Sequence, residues 1–255
     1  MPKNLYMEKI GKKAKLASLH LSNVNIEKRN SVLKQFSQYL RSNSQSILNS
    51  NKKDIYNAKS KKIKDSMIDR LKLNNKKIAQ IRNSIEKIIK FKDPIGKTLS
   101  SWKRPNGLII KRVSIPIGVI GVIYESRPNV TSDVSTLCFK TGNVVILRGG
   151  SEAFHSNKIL AKLFKKALKK KKCDENCVQF IENKDRSLVD YLLSNMKNYI
   201  DVIIPRGGKG LVKKVLKKST ISIIGHYEGL CHVYVDREAD LSMAIKVVNN
   251  SKMRN

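Results

Sequence analysis

Beyond residue 106 this chain alternates short β-branched runs with stretches whose apolar residues recur every three or four positions. Parallel strands cannot be joined by a tight turn; each needs a long crossover, and a helix is the usual one. The alternation therefore predicts an open, mostly parallel α/β sheet with helices packed on it. Residues 108–113 and 118–124 read as strands on either side of Pro116, and 143–147 as a buried strand. Further strands are expected at 178–181, 201–205, 221–224 and 232–235, with helices over 185–196 and 209–218. Two more helices follow from apolar stripes. Ile159, Leu160, Leu163, Phe164, Ala167 and Leu168 make one, which ends in the lysine run at 169–172, and Leu241, Ala244, Ile245 and Val248 make the other.

The lead-in has a different texture. Its first ninety residues carry helical stripes, Leu33, Phe36 and Leu40 in one and Ile78, Ile81, Ile85, Ile88 and Ile89 in another. These are packing faces, and no catalytic constellation lies among them. Asp93-Pro94-Ile95-Gly96 breaks the helical pattern, and Arg104-Pro105-Asn106-Gly107 is a turn signal. The expected organisation is a helical segment, 1–105, packed on an α/β domain, 106–255.

Charge opens a second reading. Fifty-two Lys and Arg against 20 Asp and Glu leave a net charge of +32, which suggests an anionic partner such as nucleic acid. The basic residues are not gathered into a tail or one motif, however. They recur with Asn and Ile, as in Asn74-Asn75-Lys76-Lys77-Ile78, a mixture that A/T-rich codons produce. With no stacking motif or recognition helix, nucleic-acid binding stays the alternative. The apolar runs are too short to cross a bilayer, and the Lys-rich N-terminus lacks the apolar core of a signal peptide. Cys138, Cys173, Cys177 and Cys231 form no CxxC pair, so a reduced, cytoplasmic protein is expected. Cys138 and Cys231 read as small buried hydrophobes; Cys173 and Cys177 fall in a Lys-rich loop where a shifted thiol pKa is possible.

Three glycine-bearing turns could carry chemistry. After 118–124 comes Glu125-Ser126-Arg127-Pro128-Asn129, and Asn129 is either an amide donor toward an oxyanion or the cap of the next helix. Arg148-Gly149-Gly150 follows the apolar strand, where a cation and two glycines suit a phosphate or ribose, or simply a β-to-α turn. Arg206-Gly207-Gly208-Lys209-Gly210 opens a helix, and free N–H groups there favour an anion. It is neither a GxGxxG fingerprint nor a P-loop. His226 and Glu228 lie in a turn that could face a ligand.

Taken together, these residues resemble the γ-glutamyl phosphate reductases, within the aldehyde dehydrogenase superfamily. The resemblance rests on Pro116-Ile117-Gly118-Val119-Ile120-Gly121 running into Tyr124-Glu125-Ser126-Arg127-Pro128-Asn129, on Leu137-Cys138-Phe139-Lys140-Thr141-Gly142-Asn143, and on Arg148-Gly149-Gly150. Asp69-Arg70-Leu71-Lys72-Leu73 and Asp93-Pro94-Ile95-Gly96 add to it upstream, and Pro205-Arg206-Gly207-Gly208 and Gly229-Leu230-Cys231-His232 downstream. The similarity runs in one order along almost the whole chain.

The resemblance implies an open, Rossmann-like sheet of the aldehyde dehydrogenase type and an NADPH-dependent reduction of L-glutamyl 5-phosphate in proline biosynthesis. Glutamate 5-kinase would be the pathway neighbour and the protein a homo-oligomer. In that chemistry a cysteine thiolate attacks the acyl phosphate, expels phosphate and leaves a thioester, which hydride then reduces. The resemblance gives Asn129 the oxyanion, Arg148, Gly149 and Gly150 the adenosine ribose and its 2′-phosphate, and Gly207 and Gly208 the pyrophosphate. Arg127 would contact an anionic substrate group, and His226 and Glu228 would lie near the nicotinamide.

Two departures stand out. Ser151 occupies a position where the family usually has Lys, and the sequence stops at Asn255, before the family's nucleophilic cysteine. The expectation is that this cysteine and the catalytic domain are absent and that none of the four cysteines replaces it. The chain is then either a shortened form of an active reductase or the product of a degraded gene that still binds NADPH.

Overall fold

The computed structural model describes residues 3–125, 127–225 and 231–253. It divides into two compact units, Met1–Gly225 and His226–Asn255.

In the first unit five helices lead: α1 (Lys3–Leu21), α2 (Ile26–Ser42), α3 (Ser44–Ser60), α4 (Asp65–Leu71) and α5 (Asn75–Lys90). Their starts follow local chemistry. The Asn25 side chain accepts from Lys28 N at 2.9 Å and Asn74 from Lys77 N at 2.8 Å, each satisfying an orphan donor of the first turn. The isoleucine stripe behaves as its spacing requires, with Ile78, Ile81, Ile85 and Ile88 buried on one face of α5. Each such side chain contributes about 1.5–3 kcal/mol relative to exposure.

An antiparallel hairpin follows, β1 (Thr98–Lys103) and β2 (Ile109–Val113), turning through Arg104–Gly107, where Gly107 takes φ +86°. The first strand of that hairpin is missing from the sequence reading, because Thr-Leu-Ser-Ser-Trp-Lys has no buried face and hence no apolar alternation to see. The sheet proper contains β3 (Val119–Tyr124), β4 (Val144–Gly149), β5 (Val178–Phe180) and β6 (Val202–Arg206), all parallel, in the order β5-β4-β3-β6. Joining them are α6 (Pro128–Lys140), α7 (Phe154–Lys170), α8 (Ser187–Asn195) and α9 (Lys209–Lys218). The expected helical lead-in and parallel α/β sheet are thus borne out. Residues 221–224 are a correction: they contribute one parallel bridge, Ile203 to Ile223, and no strand.

Every residue of β3 and β4 is buried, as in parallel sheets covered on both faces. Helices α6 and α7 cover one face, and α1, α8 and α9 the other. The apolar faces of α1, α2 and α5 join the sheet in one continuous core. Two buried polar contacts fix the helices next to it. Arg29 of α2 donates to Lys140 O at the end of α6 and to the Asp93 carboxylate. Asp54 of α3 accepts from His155 N at 3.0 Å and Ser156 N at 2.7 Å, closing the start of α7.

In the second unit, α10 (Leu241–Lys252) begins where Asp240 accepts from Met243 N at 2.7 Å. None of its residues is buried. Residues 232–235 form no strand among the described residues, since a strand exists only through a partner ladder. Cys231 is also a correction: it is exposed, and its carbonyl accepts from Lys252 Nζ at 2.6 Å.

Candidate functional site

The order β5-β4-β3-β6 reverses direction between β3 and β6, and α/β sheets bind ligands beyond the carboxyl ends of the strands at such a reversal. Register decides what meets there. Ile123 is level with Arg148 and Pro205, whereas Tyr124 is level with Gly149 and Arg206. Successive side chains point to opposite faces of a sheet, so the one-residue offset sends Arg148 and Arg206 to opposite sides. Two cavities open on those sides. One, of about 360 Å³, is lined by Ile123, Arg148, Gly150, Arg186 and Leu211 among others. The other, of about 590 Å³, is lined by Val122, Arg127, Asn129, Asp133 and Arg206 among others. Glu125, just past β3, borders both.

On the smaller cavity, Arg148 is only 5% exposed. Its guanidinium donates to Gly149 O at 2.7 Å, Lys184 O at 3.1 Å and Asp185 O at 3.3 Å, while Nε has no partner among the described residues. Burial draws its pKa below the ordinary value, and the nearby Asp185 carboxylate opposes that shift. The side chain expected at a ribose 2′-phosphate therefore holds the β4 end against the turn before α8. The exposed cations on this cavity are Lys184 and Arg186, and Lys184 also sits 4.4 Å from the centre of the Phe154 ring. Gly149 is needed for packing, since a Cβ there would lie 2.3 Å from Asn157 Nδ2. Gly150 N donates to Tyr124 O at 2.8 Å, which closes the turn.

At the start of α9, Gly208 N donates to Glu125 Oε2 at 2.9 Å. The helix start expected to receive a pyrophosphate thus holds a carboxylate oxygen, a stand-in of like charge on a donor aimed at an anion. A Cβ on Gly207 would come within 2.6 Å of that same oxygen, so the missing side chain makes the cradle. These features fit a dinucleotide's phosphates. Glu125 has no role in the sequence reading, and its contact with Gly208 joins residues 83 positions apart, which no local pattern reveals.

Asn129 is the second residue of α6, after Pro128, and so does not cap the helix. Its Nδ2 donates to Asp133 Oδ2 at 3.0 Å one turn on, leaving a second amide hydrogen free among the described residues. Burial pushes the Asp133 carboxyl pKa up, partly offset by that bond. Arg127 lines the same cavity, as does Arg70 of α4, which the sequence reading placed only within a motif. Among the cysteines of the first unit, Cys138, Cys173 and Cys177, none lines either cavity. Cys138 is buried as expected, its thiol pushed up to about 12, and burial also raises Cys173 and Cys177, so none of these three is an activated thiolate. His226 and Glu228 lie outside the described residues.

Sheet order, crossovers on both faces and cavities at the carboxyl edge place the chain among doubly wound α/β proteins. Residues 4–255 match the aldehyde dehydrogenase family, and the chain belongs to that family, whose members use a nicotinamide cofactor. It is 44% identical over 248 residues to the γ-glutamyl phosphate reductase of Bartonella henselae, a match covering 97% of this chain and 60% of that protein. The crystal structure of γ-glutamyl phosphate reductase from Thermotoga maritima matches with a TM-score of 0.88 and 40% identity, over 96% of this chain and 59% of that one. The corresponding structure from Saccharomyces cerevisiae matches with a TM-score of 0.80 and 31% identity, over 96% and 62%. The chain spans about 60% of the length of these relatives.

Proposed function

We propose that this chain binds NADPH for the reduction of L-glutamyl 5-phosphate to L-glutamate 5-semialdehyde and phosphate in proline biosynthesis. The observation that carries the reading is the Glu125 oxygen on Gly208 N at the switch point, in a chain 44% identical to γ-glutamyl phosphate reductases. The cofactor, when bound, supplies hydride. Gly207 and Gly208 receive its pyrophosphate once Glu125 withdraws, and the Gly149–Gly150 turn, shaped by Arg148, borders its ribose. Lys184 and Arg186 are the exposed cations that would meet a 2′-phosphate there. Asn129 offers its free amide hydrogen to the oxyanion of the acyl carbon, and Pro128 fixes that residue at the helix start.

The nucleophilic thiol is assigned to none of the four cysteines: none falls at the position the family resemblance gives it, and Cys138, Cys173 and Cys177 line neither of these cavities. Substrate and cofactor are soluble anions, so the reading puts the work in the cytoplasm, with glutamate 5-kinase supplying the acyl phosphate. In a coupled assay with that kinase, the purified chain should quench or shift NADPH fluorescence at micromolar protein and oxidise no NADPH. Turnover by the chain would overturn the assignment of the thiol, and absence of NADPH binding would remove the cofactor reading.

A further inference from the structure

Three elements far apart in sequence each bring an arginine to the 590 Å³ cavity beside Asn129: Arg70 from α4, Arg127 from the turn before α6, and Arg206 from the end of β6. Arginines with structural work in this fold have fixed partners. Arg29 holds Asp93 and a carbonyl, Arg82 donates to Ser37 O at 3.2 Å, and Arg148 holds three carbonyls. The side chains of Arg70, Arg127 and Arg206 have no such partner among the described residues. Three unpaired cations around one cavity repel each other unless an anion joins them. Neither acid of the same wall pairs with them among the described residues. Glu125 accepts from Gly208 N and Asp133 from Asn129 Nδ2.

Composition sharpens the point. Of the 52 basic residues, 40 are Lys and 12 are Arg, so solvated charge in this chain is carried mainly by Lys. In this cavity the preference reverses, with three Arg and no Lys. A guanidinium differs from an ammonium in presenting a planar fork that grips a carboxylate or phosphate through two parallel hydrogen bonds.

We infer that Arg70, together with Arg127 and Arg206, seats the anionic groups of the substrate, and that Arg70 is a specificity-determining residue for a substrate carrying both a carboxylate and a phosphoryl group. The assignment rests on the reading of this cavity as the acyl-phosphate side. Since phosphate could also come from the cofactor, the test separates the two sources. The full 255-residue protein is titrated with a non-hydrolysable phosphonate analogue of glutamyl phosphate by calorimetry, and separately with NADPH by fluorescence. Arg70→Gln should weaken the analogue about tenfold, and Arg70→Lys several-fold, because a point charge does not replace the fork. NADPH affinity should change less than about twofold in either variant. Arg206→Gln provides an independent loss should Arg70 variants fold poorly, which thermal melting checks. Unchanged analogue affinity in both Gln variants, or no analogue binding by the parent protein at millimolar concentration, overturns the inference. An equal loss for analogue and NADPH transfers the arginines to the cofactor and overturns it too. Failure of NADPH binding in the parent protein refutes the cofactor reading alone and leaves the analogue titration decisive here.

Discussion

The tripeptide Arg-Gly-Gly occurs twice at a strand end in this chain, as Arg148-Gly149-Gly150 at the end of β4 and Arg206-Gly207-Gly208 at the end of β6, and the two copies do opposite things. The first is closed: its arginine is buried on three carbonyls, and its first glycine is hemmed in by Asn157 and Tyr124. The second is open: its arginine is exposed on a cavity, and its second glycine donates to a carboxylate. The same three residues are part of the frame in one case and face an open cavity in the other. Register against β3 makes the difference, since one copy is level with Ile123 and the other with Tyr124.

The sharpest way to break this contrast is to truncate both arginines. Arg148→Ala should cost about 2–4 kcal/mol in urea unfolding, because buried carbonyls lose their donors. Arg206→Ala should stay within about 0.5 kcal/mol of the parent. Similar losses for the two would refute the division. A smaller difference is expected from the glycines. Gly149→Ala drives a Cβ to 2.3 Å from Asn157 Nδ2, whose amide oxygen also accepts from Thr131 at 2.9 Å. Overpacking of this kind costs about 1–3 kcal/mol. At Gly208, φ is −68° and the nearest atom to a new Cβ is 3.8 Å away, so Gly208→Ala should melt within a degree or two of the parent.

The smallest effect concerns the turn that Arg148 grips. Asp185 pairs with Lys3 and accepts from Ser187 N at 2.8 Å; with Lys3 the main cause, its pKa falls from 3.8 to about 2. A depressed folded pKa stabilises above the unfolded value, and that contribution fades as pH falls from 3.8 through about 2. Thermal melting should show Asp185→Asn slightly below the parent at neutral pH, with the gap shrinking as pH falls toward 2 and reduced by salt. A gap that widens in acid would contradict this sign.

Much of the fold can be read from the sequence, because β3 and β4 are β-branched runs covered on both faces, β6 is another such run, and α5 carries its stripe in plain view. What escaped was decided by partners. Thr98–Lys103 becomes a strand only through Ile109–Val113, while residues 232–235, with the same local character as a strand, find no ladder among the described residues. The candidate site divides in the same way. Asn129 and the glycine turns stand out locally, but the burial of Arg148 depends on carbonyls 36 and 37 positions away, and Arg70 reaches the cavity from a seven-residue helix with nothing unusual in its pattern. Rarity is the one sequence signal that could have flagged it, since an arginine in a lysine-dominated chain marks a place where geometry matters as well as charge.

The Glu125 contact changes what binding means at the open turn. The donor at the head of α9 already has a guest, so on the proposed reading a phosphate arriving there would make an exchange: one anion leaves as another arrives. The seat itself would then gain less negative charge than the ligand carries, and the released carboxylate would stay tethered between the two cavities as a built-in competitor for it.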